Sequence, residues 1–217
     1  MKVSDYIVDY IIQQKIDHVF GYPGGMVTDL MDSLSKRSNE ITAYVVRHEQ
    51  AAAFAACGYA QATHKTGVAY ATSGPGATNL ITGIANAYFD SIPCVFITGQ
   101  VNTYESKGEL PIRQSGFQEM NIVAMVQCIT KYAVQINEKK SVVKELEKAF
   151  CIAQEGRPGP VLIDIPMNIF KSDIPLNKES SKLNDQNNLA SASFNVIIEK
   201  LNNSSKPVIL AGRGIEI

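Results

Sequence analysis

Three short segments of this sequence combine groups able to hold or move a proton with backbone that lets a ligand come close. They are Tyr22-Pro23-Gly24-Gly25, Arg47-His48-Glu49-Gln50 and Ser73-Gly74-Pro75-Gly76-Ala77-Thr78-Asn79. Glycine admits close approach of backbone to a ligand, and proline stiffens the turn around it. A carboxyl group such as that of Glu49 serves as a general acid or base when it is suitably placed. Taken singly, each segment is weak. A Gly-Pro-Gly turn that opens a helix is in most chains only a turn, and a glutamate at a helix start more often serves the helix dipole. His48, beside Glu49, reads as structural rather than as a proton carrier. His18 and His64 read as a strand-end and a surface residue.

Each segment follows a stretch that reads as a strand and precedes one that reads as a helix. Ser4 is placed to cap a first helix with Ile7, Val8, Ile11 and Ile12 on its apolar face. His18-Val19-Phe20-Gly21, Ile41–Val46, Val68–Thr72, Pro93–Thr98 and Pro160–Ile165 are short and apolar, hence strands. Val27–Leu34, the Ala-rich run Glu49–Ala62, Ala77–Tyr88 and Glu138–Ala153 read as helices. The strands lack clean alternation, the pattern of a sheet buried on both faces. The expected fold is therefore α/β, doubly wound, with a mainly parallel sheet. In such sheets, sites gather at the C-terminal ends of the strands, where all three segments fall.

Composition sets the outer limits. The chain has 217 residues, 20 Lys+Arg against 21 Asp+Glu, a net charge of −1 and 45% hydrophobic residues. That balance argues against nucleic acid, which needs a clustered basic excess. Asp5 and Asp9 interrupt any signal-peptide core, and no apolar run approaches the ~20 residues of a membrane helix. Cys57, Cys94, Cys128 and Cys151 match no metal spacing and read as buried thiols of a reduced, cytoplasmic protein.

Read in order, the motifs are far more specific than they are singly. Phe20-Gly21-Tyr22-Pro23-Gly24-Gly25, Val46–Ala53, Thr72–Leu80, Asp90-Ser91-Ile92-Pro93, Thr98-Gly99-Gln100-Val101, Phe117-Gln118-Glu119 and Gly156–Val161 together resemble the acetolactate synthase family. The resemblance covers residues 3–170 and resumes over 206–215. It implies the pyrimidine-binding domain of a thiamine diphosphate enzyme, with the diphosphate and Mg²⁺ held by a domain of a partner subunit. It implies that Glu49 hydrogen-bonds the aminopyrimidine ring nitrogen and starts the proton relay that activates the cofactor. The carboxyl must then exchange a proton near neutral pH, which a dry wall of small residues (Ala51, Ala52, Ala53, Ala55) would favour and the helix N-terminus would oppose. Gly24, Gly25 and Pro75 would shape the cofactor wall, and Asn79 would orient the cofactor. Phe117 and Gln118 would face the substrate. Arg157 matches a flavin-contacting arginine, although a Gly-Arg-Pro-Gly-Pro turn needs no ligand, and FAD is not used by every relative. No metal ligand is expected in this chain.

One segment departs from the pattern. Asn102–Gly116 is about six residues longer than in acetolactate synthases, within ordinary insertion tolerance. Similar loops occur in acetolactate synthase-like carboligases of surface-sugar biosynthesis, whose acceptors are larger and often anionic. Arg113 could meet a phosphate there. The expected domains are residues 1–171, a Ser/Asn/Lys-rich linker over 172–193, and the start of a middle domain over 194–217. That last part contains a helix near Val196–Leu201 and a strand-to-glycine turn over Lys206–Gly212. The chain ends at Ile217 before that unit could bury anything, so the expectation is a piece of a longer protein. As a whole, the protein is expected to be a homodimeric or homotetrameric carboligase. It would decarboxylate a 2-oxo acid, pyruvate first among candidates, and join the acyl unit to a second carbonyl, as in branched-chain amino acid biosynthesis. The alternatives are a simple 2-oxo acid decarboxylase, a surface-sugar biosynthesis carboligase with a larger acceptor, and a non-catalytic half-domain assembly module.

Overall fold

A computed structural model of the chain describes residues 1–175, 194–210 and 212. It divides into two units, Met1–Asn177 and Lys178–Ile217.

The first unit is built on six strands, β1 His18–Gly21, β2 Thr42–Val45, β3 Gly67–Ala71, β4 Cys94–Gln100, β5 Tyr132–Gln135 and β6 Pro160–Pro166. Their order is β2-β1-β3-β4-β6-β5, and every pairing is parallel. The helices are α1 Val3–Gln13, α2 Thr28–Lys36, α3 Glu49–Thr63, α4 Pro75–Asn79, α5 Ile81–Phe89, α6 Ile122–Val126, α7 Val142–Gln154 and α8 Met167–Lys171. This is the doubly wound α/β fold that the periodicity predicts.

The central strands β3, β4 and β6 are buried along their whole length, which is why they lack polar alternation. In β3 alternation survives in size rather than polarity. Val68, Tyr70, Val95, Ile97, Val161 and Ile163 join one core with Ile7 and Ile11 of α1 and Leu146 and Phe150 of α7. Ala69, Ala71, Phe96 and Leu162 join a second core with Ala52, Ala53 and Ala56 of α3 and Ile84 of α5. The second core is rich in alanine, so its helices lie close. A Cβ on Gly83 would come within 2.3 Å of Ala53 Cβ, and one on Gly67 within 2.1 Å of the Ala56 carbonyl.

Several local expectations are corrected. Ser4 does not cap α1, because Lys2 holds that position. Ser4 lies inside the helix with its hydroxyl 2.9 Å from that of Ser33, which donates to Asp5 at 2.6 Å. The helix expected over Ala77–Tyr88 is two helices that meet at Leu80, the first opening on Pro75. β5 escaped the sequence reading because it is a half-buried edge strand without a marked pattern. β2, at the other edge, leaves Tyr44 and Val45 exposed. Of the cysteines, Cys57 and Cys94 are buried, but Cys128 is exposed.

Residues Ser172–Ile174 run back along the N-terminus. Ser172 O accepts from Val3 N, and Met1 O accepts from Ile174 N, both at 2.9 Å. The rest of the expected linker, 176–193, lies outside the described residues. In the second unit, α9 Phe194–Asn202 covers the helix expected near Val196–Leu201. Lys206–Leu210 forms no strand, and Val208, Ile209 and Leu210 are exposed. A strand needs a neighbour to complete its ladder. Most of the glycine turn expected beyond them lies outside the described residues.

Candidate functional site

β1 is followed by β2 on one side and, after the chain crosses back, by β3 on the other. The loops leaving β1 and β3 therefore diverge at their C-terminal ends, the switch point where α/β sheets form clefts. Two of the three sequence segments are these loops. The third opens α3, which packs against both strands.

Close approach explains the glycines. Gly24 lies against Thr72, where an added Cβ would stand 2.4 Å from the threonine Cβ. Thr72 Oγ1 also accepts from Met26 N at 3.3 Å, which binds the loop after β1 to the end of β3. Gly25 is different, with open space within 4 Å of where its Cβ would be. Gly74 adopts φ +62°, a left-handed conformation that favours glycine, and its missing Cβ makes room for Gln118. Pro75 follows at the first turn of α4, where its lost N–H costs nothing.

Glu49 is the first residue of α3 and only 7% exposed. Its Oε2 accepts from Asn79 Nδ2 at 2.9 Å, which joins the second and third segments. Its Oε1 accepts no hydrogen bond among the described residues and faces Gly76, whose absent Cβ would lie 3.2 Å away. His48 caps α3, its Nδ1 accepting from Gln50 N at 3.2 Å, a structural duty. His18 stacks on Tyr44, and exposed His64 closes α3 in a left-handed turn.

Gly24, Gly25, Glu49, Pro75, Asn79 and Gln118 thus gather beyond the C-terminal ends of β1 and β3. Phe117 and Arg113 are exposed to solvent. Arg157 lies at the opposite, N-terminal end of the strands, before β6. Its Nε donates to Ser91 Oγ at 2.6 Å and its Nη2 to the Phe89 carbonyl at 3.2 Å. The structure does not bring it to Glu49. Among the described residues, no group of three His, Cys, Asp or Glu could hold a metal ion, and no helix is long and apolar enough to cross a membrane.

Sequence reasoning missed three polar features nearby. Ser73 Oγ is buried without a hydrogen-bond partner, alone in this among the buried side-chain polar atoms of the described residues. Asp164, fully buried on β6, accepts from Thr98 Oγ1 at 2.7 Å and Gln100 Nε2 at 3.0 Å. Burial pushes its carboxyl up to about 7, against the lowering effect of those two bonds. The signal for it was present, an aspartate inside the apolar run Val161–Ile165. Glu119 gathers four donors from the preceding loop. That clustering has no sequence signature beyond the Phe-Gln-Glu motif.

The family model described as "Thiamine pyrophosphate enzyme, N-terminal TPP binding domain" matches residues 1–125. The chain is 41% identical to the acetolactate synthase large subunit of Buchnera aphidicola subsp. Acyrthosiphon pisum, over 98% of this chain and 37% of the relative. It is 38% identical to the Lactococcus lactis large subunit, over 98% of this chain and 36% of the relative. It is also 38% identical to the isozyme 2 large subunit of Escherichia coli, over 99% of this chain and 38% of the relative. The chain thus spans little more than a third of the length of these relatives. It belongs to the thiamine pyrophosphate enzyme family and carries that family's N-terminal TPP-binding domain.

Proposed function

We propose that this domain holds the aminopyrimidine of thiamine diphosphate against Glu49, within a carboligase of the acetolactate synthase type. The observation that carries the reading is the state of the Glu49 carboxylate. It is nearly buried, fixed at Oε2 by Asn79 and uncommitted at Oε1. The surroundings fit a flat heteroaromatic ring. Open space stands at Gly25, and side chains are excluded at Gly24 and Gly76.

When bound, the cofactor would supply a carbon nucleophile and an electron sink for the decarboxylation of a 2-oxo acid. The chain's own residues do the rest. Glu49 exchanges a proton at Oε1 with the pyrimidine ring nitrogen. Asn79 keeps the other oxygen occupied, so the carboxylate presents one oxygen and not two. Gly24, Gly25 and Pro75 form the wall, and Gln118, packed on Gly74, stands on the substrate side. Phe117 and Arg113 belong to the outer part of that side. The hydrogen bonds of Arg157 to Ser91 and Phe89 favour an anchoring role over a flavin contact.

In the whole protein, pyruvate is the proposed donor and a second carbonyl compound the acceptor. The diphosphate and Mg²⁺ would be held by a domain outside this chain, on a partner subunit, so the working unit would be a homodimer or homotetramer. Residues 194–217 would begin the family's middle domain.

The test is Glu49→Gln in the full-length protein, which keeps the volume and the Asn79 contact but removes acid–base capacity. Deuterium exchange at the thiazolium carbon of bound cofactor, read by quenched-flow NMR, should slow by ~100- to 10,000-fold. Exchange at the wild-type rate would make Glu49 a helix-start residue and nothing more.

A further inference from the structure

After a single helical turn at Thr103–Glu105, the chain runs to Phe117 without helix or strand, and Leu110 and Ile112 are exposed on it. The two ends of this excursion meet on one carboxylate. Glu119 Oε1 accepts from Ser106 Oγ at 2.7 Å and Lys107 N at 2.8 Å. Glu119 Oε2 accepts from Ser115 N at 2.8 Å and Gly116 N at 3.3 Å. Each oxygen therefore serves one shoulder, and together they close residues 107–115 into a loop with a narrow neck. Bonds of this kind to an ionised acceptor are stronger than neutral ones. Partial burial raises the Glu119 carboxyl, but the four bonds outweigh it and hold the group below its ordinary value.

The seat from which the loop hangs is itself fixed. On one side of Glu119, Gln118 adopts φ +58° against Gly74, at the end of β3. On the other, the Met120 carbonyl accepts from Gln100 Nε2 at 2.7 Å, at the end of β4. Gln100 is held in turn by Asp164. Loop and Gln118 thus share one rigid base. Exposed Arg113, which has no hydrogen bond or ion pair among the described residues, is carried on this loop.

We propose that Glu119 is a positioning residue whose carboxylate holds the 107–115 loop as a preformed wall beside Gln118, and that this wall selects the acceptor, an anionic carbonyl compound. The acceptor role rests on the function proposed above. The neck does not, since it is read from contacts within this chain. A glutamine at 119 offers one acceptor oxygen and one donor nitrogen. It can satisfy one shoulder, and its N–H faces the N–H groups of the other.

The experiment takes Glu119→Gln in the full-length protein and measures two things. Hydrogen exchange, read by mass spectrometry over residues 106–116, should quicken by about tenfold or more while exchange in β3, β4 and β6 stays unchanged. Steady-state kinetics should show the acceptor KM rising by about tenfold with kcat at saturating acceptor and the donor KM unaltered, a split that general loss of structure would not give. Unchanged exchange at the neck would overturn the proposal. So would a loosened neck with the acceptor KM unmoved. If Glu119→Gln does not fold, Glu119→Asp, whose shorter stem reaches one shoulder only, replaces it in both measurements. Wild-type protein that consumes no 2-oxo acid would sink the proposed function instead, and the exchange result would still decide whether Glu119 holds the loop.

Discussion

The buried Asp164 makes stability depend on pH in a direction opposite to that of a salt-bridged carboxylate. Burial without a cation lifts its carboxyl from the ordinary 3.8 to about 7. Below pH 4 the group is protonated in both folded and unfolded chains, and its contribution is fully present. Between these values the unfolded chain releases the proton while the folded chain keeps it. Each pH unit then lowers stability by ~1.4 kcal/mol, and about 4 kcal/mol is lost by pH 7. Asp164→Asn removes the proton but keeps the shape. Its Oδ1 can accept from Gln100, and its Nδ2 can donate to Thr98 Oγ1, so the network stays satisfied. Urea unfolding of both chains, followed by far-UV circular dichroism at pH 5 and pH 8, cancels every other titration in the difference. The asparagine variant should gain about 3 kcal/mol on wild type between those two pH values. A constant difference would mean that the folded protein bears the charge at no cost, and that the argument from burial is wrong.

Three further outcomes are expected. Ser73→Ala removes a buried hydroxyl with no partner, so the cofactor-free protein should gain about 1 kcal/mol in urea unfolding; a loss of that size would reveal a partner for the hydroxyl. Gly83→Val drives side-chain atoms into Ala53 on α3 and should cost ~1–3 kcal/mol, read as a lowered thermal midpoint. Arg157→Ala should lower the thermal midpoint through loss of its bonds to Ser91 and Phe89, while thiazolium deuterium exchange in the full-length protein stays at the wild-type rate; slowed exchange would tie the N-terminal end of the strands to the chemistry.

The buried parts of the fold were legible in the sequence because continuous apolar runs can only be covered on both sides. β3, β4 and β6 fall within a residue or two of their expected bounds. β5 was not legible, since Tyr132-Ala133-Val134-Gln135 lies at an edge where neither face is fully covered. The break at Leu80 was hidden because no proline marks it, and the weak helix formers around it, Thr78, Asn79, Thr82 and Gly83, do not say where a helix stops. Within the site, glycines and Glu49 announced themselves by type and order. The contact of Asn79 with Glu49 joins residues 30 apart in sequence, and no spacing rule anticipates it. Glu119 illustrates the same limit, because a carboxylate that collects backbone N–H groups depends on where the chain turns, not on which side chains it carries.

The unequal sizes on the two faces of β3 act as a guard against misregistration. A slip of one residue in a parallel ladder exchanges the faces of every side chain. For β3 it would send Val68 and Tyr70 into the layer where Ala69 and Ala71 now meet the alanines of α3. That layer has no room for them, as the approach of Gly67 to the Ala56 carbonyl makes plain. The misaligned sheet is thus rejected by collision, before any polar group is consulted. The turn from Ser73 to Gly76 hangs directly from the end of this strand, and Glu49 opens the helix that β3 would displace. The same steric veto that keeps the sheet in register therefore also sets the position of Glu49 relative to that turn, so the accuracy of the site is inherited from the smallest side chains in the molecule.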